Sequence, residues 1–217
     1  MPKIAEIFSS IAGEGSWMGR PATFIRFSGC NLSCEWCDEK HARSGEGEFR
    51  SVEEILEECR SAGLRRVVIT GGEPLLQKED CLKLARELTK SGFRVMIETN
   101  GTLLNRLTQD ERVVLRECEV TVSPKKGNVS GNAVRAAINL SAQFKFVVGE
   151  NSWKCEEVRE LVNRYSIDRE SVWLMPMSVD GEIREELARE VWKFCVKEGY
   201  NYSDRLHVRV WKGEKGK

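Results

Sequence analysis

Three cysteines fall within eight residues: Cys30, Cys34 and Cys37, spaced C-x3-C-x2-C. Thiolates so placed can converge on one metal centre. A structural zinc site takes four protein ligands, and His41 could stand fourth beside these three. An iron–sulfur cube also takes four cysteines as a rule. With three, one iron has no protein ligand, which suits a cluster that must bind a small molecule. Cys59, Cys81, Cys118, Cys155 and Cys195 stand singly. Cys59 and Cys195 occupy apolar positions of helical patterns, and all five read as small buried hydrophobes. A disulfide scaffold is not expected in a chain this long with reduced thiols.

Other residue types point to chemistry more weakly. Gly71-Gly72-Glu73-Pro74 follows an apolar run at residues 67–69. A glycine pair lets the backbone approach a ligand closely. Glu73 offers an acceptor to an ammonium group. Arg26 sits inside Phe24-Ile25-Arg26-Phe27, where its fork could grip a carboxylate by two parallel hydrogen bonds. His207, in Arg205-Leu206-His207, reads first as a packed structural residue.

The elements that must position these groups alternate along the chain. Strand-like runs lie at residues 4–8, 23–27, 67–70, 95–98, 120–122, 144–148, 172–175 and 207–210. Helical periodicity covers residues 52–61, 79–91, 132–138, 153–163 and 182–197. Such alternation predicts an α/β fold with a parallel sheet and right-handed crossovers. Polar groups follow four of the strands: Ser28-Gly29-Cys30, Gly71-Gly72-Glu73, Thr99-Asn100-Gly101 and Ser123-Pro124-Lys125. Functional residues of parallel α/β folds gather at such strand ends. A full eight-unit barrel takes about 250 residues. The 217 residues here, with an irregular stretch at 28–50, predict a shortened or open barrel in a single domain spanning 1–217.

Composition sets outer limits. With 41% apolar and 31% charged residues, the chain is too apolar to be disordered. Its 34 basic and 34 acidic residues leave no net charge, which argues against a nucleic acid held mainly through phosphates. No run approaches the ~18 apolar residues of a membrane span. The first ten residues lack the pattern of a secretory signal, so a cytoplasmic location is expected.

The cysteine spacing and the Gly-Gly-Glu-Pro segment resemble the radical S-adenosylmethionine enzymes. Residues 6–15, 19–32 and 34–38 are similar to the 7-carboxy-7-deazaguanine synthases within that superfamily, and so are 70–77, 98–102, 123–125, 145–148 and 203–208. The resemblance implies the superfamily's partial barrel. It implies a [4Fe-4S] cluster on Cys30, Cys34 and Cys37, S-adenosylmethionine chelated at the open iron, and Mg2+. The implied reaction turns 6-carboxy-5,6,7,8-tetrahydropterin into 7-carboxy-7-deazaguanine with loss of ammonia, regenerating S-adenosylmethionine. A flavodoxin-like or ferredoxin-like electron donor and a homodimer are further implications. Two alternatives stay open: another radical enzyme, such as a glycyl-radical activase, and a non-catalytic zinc-binding domain.

Carried onto this chain, the resemblance places S-adenosylmethionine against Trp36, Asp38, Gly72 and Glu73. It adds Ser123, Pro124 and Lys125, and then Met175, Pro176, Met177 and Ser178. It places substrate at Ile11, Ala12, Gly13, Arg26, Thr70 and His207, with Arg26 on the substrate carboxylate. Three positions depart from the family pattern. Met175 and Ala12 stand where Gln is usual, and a backbone or water contact is expected to serve at Ala12. Glu39 replaces the usual Thr and is expected to add a carboxylate to the Mg2+ site.

Overall fold

The computed structural model describes residues 1–35, 37–212 and 214. Chain order is β1 (Lys3–Ile11), β2 (Pro21–Phe27), α1 (Lys40–Arg43), β3 (Glu48–Phe49), α2 (Val52–Ser61), β4 (Arg66–Gly71) and α3 (Lys78–Lys90). It continues with β5 (Arg94–Thr99), α4 (Gln109–Arg116), β6 (Glu119–Val122), α5 (Gly131–Ile138), β7 (Gln143–Val148) and α6 (Cys155–Tyr165). The last elements are β8 (Val172–Pro176), β9 (Ser178–Val179), β10 (Glu182–Ile183), α7 (Glu185–Glu198), β11 (Asn201–Tyr202) and α8 (Leu206–Trp211).

Nine strands form one sheet in the order β11-β8-β7-β6-β5-β4-β2-β1-β3. From β2 to β11 neighbouring strands pair parallel, while β1 runs antiparallel to both β2 and β3. β9 and β10 form a separate small hairpin. The expected partial barrel is what the chain builds.

Two-residue periodicity sorts the side chains of each strand. Ile25, Phe27, Val67, Ile69, Ile97, Phe144, Phe146 and Leu174 point to one face, where they pack with Ile55, Leu84, Leu88 and Leu115 of the helices. The opposite face carries Arg26, Thr70, Glu98 and Lys145, which line a cavity. Local signals fix the helices. α2 and α4 start with reciprocal capping boxes, Ser51 with Glu54 and Thr108 with Glu111.

Two expectations fail here, and the helix expected over 182–197 starts only at Glu185, after strand β10. Residues 207–210 form part of helix α8 and not a strand. Alternation in Leu206-His207-Val208-Arg209 over so short a run fits either period. Tertiary contacts decide it. Leu206 N–H donates to Gly13 O at 3.0 Å, and Arg209 N–H returns to Arg205 O at 3.1 Å, so no sheet neighbour is needed. The stretch at 28–50 is also less irregular than expected, since it contains α1 and β3.

Candidate active site

The cavity opens where the parallel strands end and encloses about 430 Å3. Cys30, Cys34 and Cys37 line it, together with Asp38, Glu39, Gly72, Ser123, Lys125, Met175 and Ser178. Ile11, Ala12, Gly13, Arg26, Thr70 and His207 line it as well. Residues far apart in sequence meet because their strands end in register: Arg26 lies beside Thr70 across the β2–β4 pair.

The glycine pair serves close packing. A Cβ on Gly72 would stand 2.1 Å from Gly29 O and 3.1 Å from Cys30 Cβ; one on Gly71, at φ +137°, would stand 2.2 Å from Phe27 O. The end of β4 therefore lies directly against the start of the cysteine loop. That loop is anchored further by Gly29 N–H on Ala42 O at 2.7 Å and by Arg43 Nη1 on Cys34 O at 2.7 Å. Leu32 N–H points at Cys30 Sγ, 3.4 Å away. Burial raises the Cys30 and Cys37 thiols above the ordinary value, so iron must displace their protons.

Four expected contact residues do not reach the cavity. Glu73 is fully buried, and its carboxylate accepts from Leu75 N–H at 3.0 Å, Thr99 Oγ1 at 2.7 Å and Asn100 N–H at 2.7 Å. It ties the end of β5 to the Gly-Gly-Glu-Pro turn. Burial raises its pKa against these hydrogen bonds. Pro124 accepts from Trp153 Nε1 at 2.8 Å through its carbonyl. Pro176 pairs with Val148 at the end of β8, and Met177 N–H bonds Val148 O at 2.8 Å. At Ala12 the N–H bonds Arg20 O and the carbonyl accepts from Gly19 N–H, both at 2.8 Å, so the carbonyl's second lone pair is what the backbone could offer a ligand. Trp36 lies outside the described residues.

The cavity interior is an ion network that the sequence reading did not assign. Lys145, 4% exposed, donates to Glu14 Oε2 and Glu98 Oε1, both at 2.7 Å. Thr70 Oγ1 donates to Glu98 Oε2 at 3.0 Å. Arg205 Nε donates to Glu14 Oε1 at 3.0 Å. Burial alone would raise Glu14, but Lys145, Arg205 and His207 outweigh it and hold the carboxyl well below its usual range. Burial likewise acts to lower Lys145, and Glu14 and Glu98 overturn that and raise it. One signal was available: a lysine inside the apolar run Phe144-Lys145-Phe146-Val147 requires an acidic partner.

Near the mouth, Arg26 Nε donates to Glu6 Oε1 at 2.6 Å, and Arg26 Nη2 lies 3.2 Å from Glu39 Oε1. His41 sets its Nε2 3.3 Å from Glu6 and its Nδ1 3.2 Å from Glu39. His41 thus turns both nitrogens to carboxylates and not to the thiols, which counts against a Cys3His zinc site.

Residues 24–123 match the Radical SAM superfamily. The 7-carboxy-7-deazaguanine synthase of Pyrobaculum aerophilum is 37% identical over 99% of this chain and 97% of its own. The chain belongs to the 7-carboxy-7-deazaguanine synthase family. The synthase of Hyperthermus butylicus is also 37% identical, over 96% of this chain and 92% of its own. The crystal structure of QueE from Escherichia coli superposes with a TM-score of 0.70 at 29% identity, covering 94% of this chain and 93% of that one. Streptococcus suis SuiB, at 18% identity and a TM-score of 0.60, shares the fold.

Membership in this radical family brings a [4Fe-4S] cluster and S-adenosylmethionine. The residues present fit both. Three cysteines of one loop face one cavity, and the other five lie elsewhere: Cys59, Cys81, Cys155 and Cys195 buried in the core, Cys118 partly buried against it. The cavity beyond the thiols carries polar strand ends suited to a zwitterionic ligand. Among the described residues, no helix is long and apolar enough to cross a membrane.

Proposed function

We propose that this chain catalyses the radical ring contraction of 6-carboxy-5,6,7,8-tetrahydropterin to 7-carboxy-7-deazaguanine with release of ammonia, in 7-deazapurine synthesis. The observation that carries this reading is one cavity holding three cysteines beside a carboxylate-gripping arginine. When bound, the cluster and S-adenosylmethionine supply the hydrogen-abstracting radical chemistry.

The protein's own residues bind and orient. Cys30, Cys34 and Cys37 hold the cluster. Asp38, Gly72, Ser123, Lys125, Met175 and Ser178 flank S-adenosylmethionine. Arg26 exchanges part of its pairing with Glu6 and Glu39 for the substrate carboxylate. Thr70, Gly13 and His207 face the pterin, and Ile11 lies at its rim. Holding the reacting carbon at one distance and angle is the protein's main contribution to rate. Glu39, joined by Glu6 and His41, would hold Mg2+ against substrate oxygens. These three side chains bring their ligand atoms within 4.8 Å of one another. A flavodoxin-like or ferredoxin-like protein supplies the electron, the enzyme works as a cytoplasmic homodimer, and residues 1–217 act as one domain.

The deciding experiment is anaerobic reconstitution with iron and sulfide, then incubation with the carboxy-tetrahydropterin, S-adenosylmethionine, Mg2+ and a reductant. A brown protein that forms 7-carboxy-7-deazaguanine is the expected result. Zinc at the three thiols, with no contracted product, overturns the proposal.

A further inference from the structure

Arg205 is 4% exposed and sits where the two ends of the chain meet. Its Nε donates to Glu14 Oε1 at 3.0 Å, one Nη donates to Ser178 Oγ, and the other donates to Asp38 Oδ2. These acceptors come from three segments: the loop after β1, strand β9, and the cysteine loop directly after Cys37. Glu14 passes the connection to Lys145, Lys145 to Glu98, and Glu98 to Thr70. A continuous chain of charged hydrogen bonds therefore runs from the cysteine loop across the cavity floor to β4. Asp38 itself is 49% exposed and lies outside any helix or strand. A planar guanidinium fixes the angles among its acceptors, which a single ammonium cannot do.

We propose that Arg205 is a positioning residue that registers the cofactor-side groups, Asp38 and Ser178, against the substrate-side groups, Glu14, Lys145 and Thr70. The inference rests on the ring-contraction reading above. Its consequence is coupling: each cleavage of S-adenosylmethionine is followed by hydrogen abstraction from the pterin. Misplacing reacting atoms by about 1 Å can cost about 10²-fold in rate. Loss of register leaves an abortive route. Each abortive event consumes one S-adenosylmethionine and one electron from the reductant. It releases methionine and 5′-deoxyadenosine, whose added hydrogen atom comes from a thiol of dithiothreitol in the buffer and not from the pterin; the thiyl radicals left by two such events pair as a disulfide.

The test uses the reconstituted full chain as wild type, Arg205→Lys, Asp38→Asn and Ser178→Ala. Iron per chain, the electron paramagnetic resonance spectrum with and without S-adenosylmethionine, and the ratio of 5′-deoxyadenosine to contracted product are measured. Arg205→Lys keeps the charge and removes the fork. It should load wild-type iron and keep the spectral response to S-adenosylmethionine. Product formation should fall by roughly 10-fold to 100-fold, while 5′-deoxyadenosine per product rises at least about tenfold. Hydrogen exchange at Asp38 and its neighbours should quicken without any turnover. A ratio that stays constant while both products fall together overturns the proposal, as does unchanged exchange at Asp38. Should Arg205→Lys fail to load iron, an unchanged ratio in both Asp38→Asn and Ser178→Ala overturns it equally. If the loaded wild type itself yields no contracted pterin, the functional reading fails and not the role of Arg205.

Discussion

Glu39 illustrates how one side chain can reset a site. Its carboxylate lies 3.2 Å from Arg26 Nη2. Glu6 contacts the same guanidinium at 2.6 Å. A substrate carboxylate arriving at Arg26 would be a third negative group beside Arg26 and His41, an arrangement that would favour the divalent cation proposed above. Glu39→Ala should raise the Mg2+ concentration for half-maximal product formation by roughly tenfold, because one charged ligand is lost. Glu39→Thr should lie between Ala and wild type. The same half-saturation in all three proteins, measured by Mg2+ titration of turnover, would remove Glu39 from the cation site.

Strands and turns show how tightly this site is built. Two glycines stand at the end of β4 because backbone occupies the space a Cβ would need: that of Phe27 at the end of β2 beside Gly71, and that of Gly29 in the cysteine loop beside Gly72. Backbone atoms form that obstacle, so it cannot swing aside as a flexible side chain would. Gly72→Ala should therefore displace Gly29 and Cys30, costing about 1–3 kcal/mol as overpacking does. Iron bound after reconstitution should fall below about half of wild type, with the midpoint of urea unfolding reporting the stability change. Full iron loading with unchanged stability would show that the contact is slack. The capping box Thr108–Glu111 is the sequence signal for α4, which the periodicity reading passed over. The eight-residue helix has only Val114 and Leu115 buried, too few for an apolar stripe to stand out.

At the scale of the molecule, an open sheet is closed by polar contacts and not by strand pairing. Gly15 N–H bonds Ser203 Oγ at 2.8 Å, Leu206 N–H bonds Gly13 O at 3.0 Å, and Glu14 holds Lys145 and Arg205. A Cβ on Gly13 would stand 2.2 Å from His207 Nδ1, which shows how closely the two segments meet. Glu14→Gln should destabilise the protein by about 3 kcal/mol near neutral pH, toward the lower end for a broken buried pair. The lower end applies because 18% of the Glu14 side chain still reaches solvent. The folded protein holds the Glu14 carboxyl below its ordinary 4.5, so its contribution is complete above that pH and is lost as pH falls toward the folded value. Lys145 is raised above 10.5, so its contribution is complete below that pH and is lost as pH climbs past it. The difference between wild type and Glu14→Gln in urea melts should be flat from about pH 5 to 10 and shrink below pH 4.5. A difference independent of pH down to 3, or none at pH 7, would show that the carboxylate does not carry the seam.

The sequence by itself determined the chemistry and the layout: C-x3-C-x2-C marks the thiol centre, and alternating periods mark a parallel sheet with its polar strand ends at one mouth. Spacing and periodicity are local properties, and they survive reading along the chain. Tertiary structure alone decided which groups meet. Glu73 turned inward to brace two strand ends, residues 207–210 became a helix once their backbone found Gly13 and not a strand, and Glu14 joined Lys145 to Arg205 across most of the chain's length. A buried charge must find its partner wherever folding brings one near, and nothing in the residues beside it says where that will be.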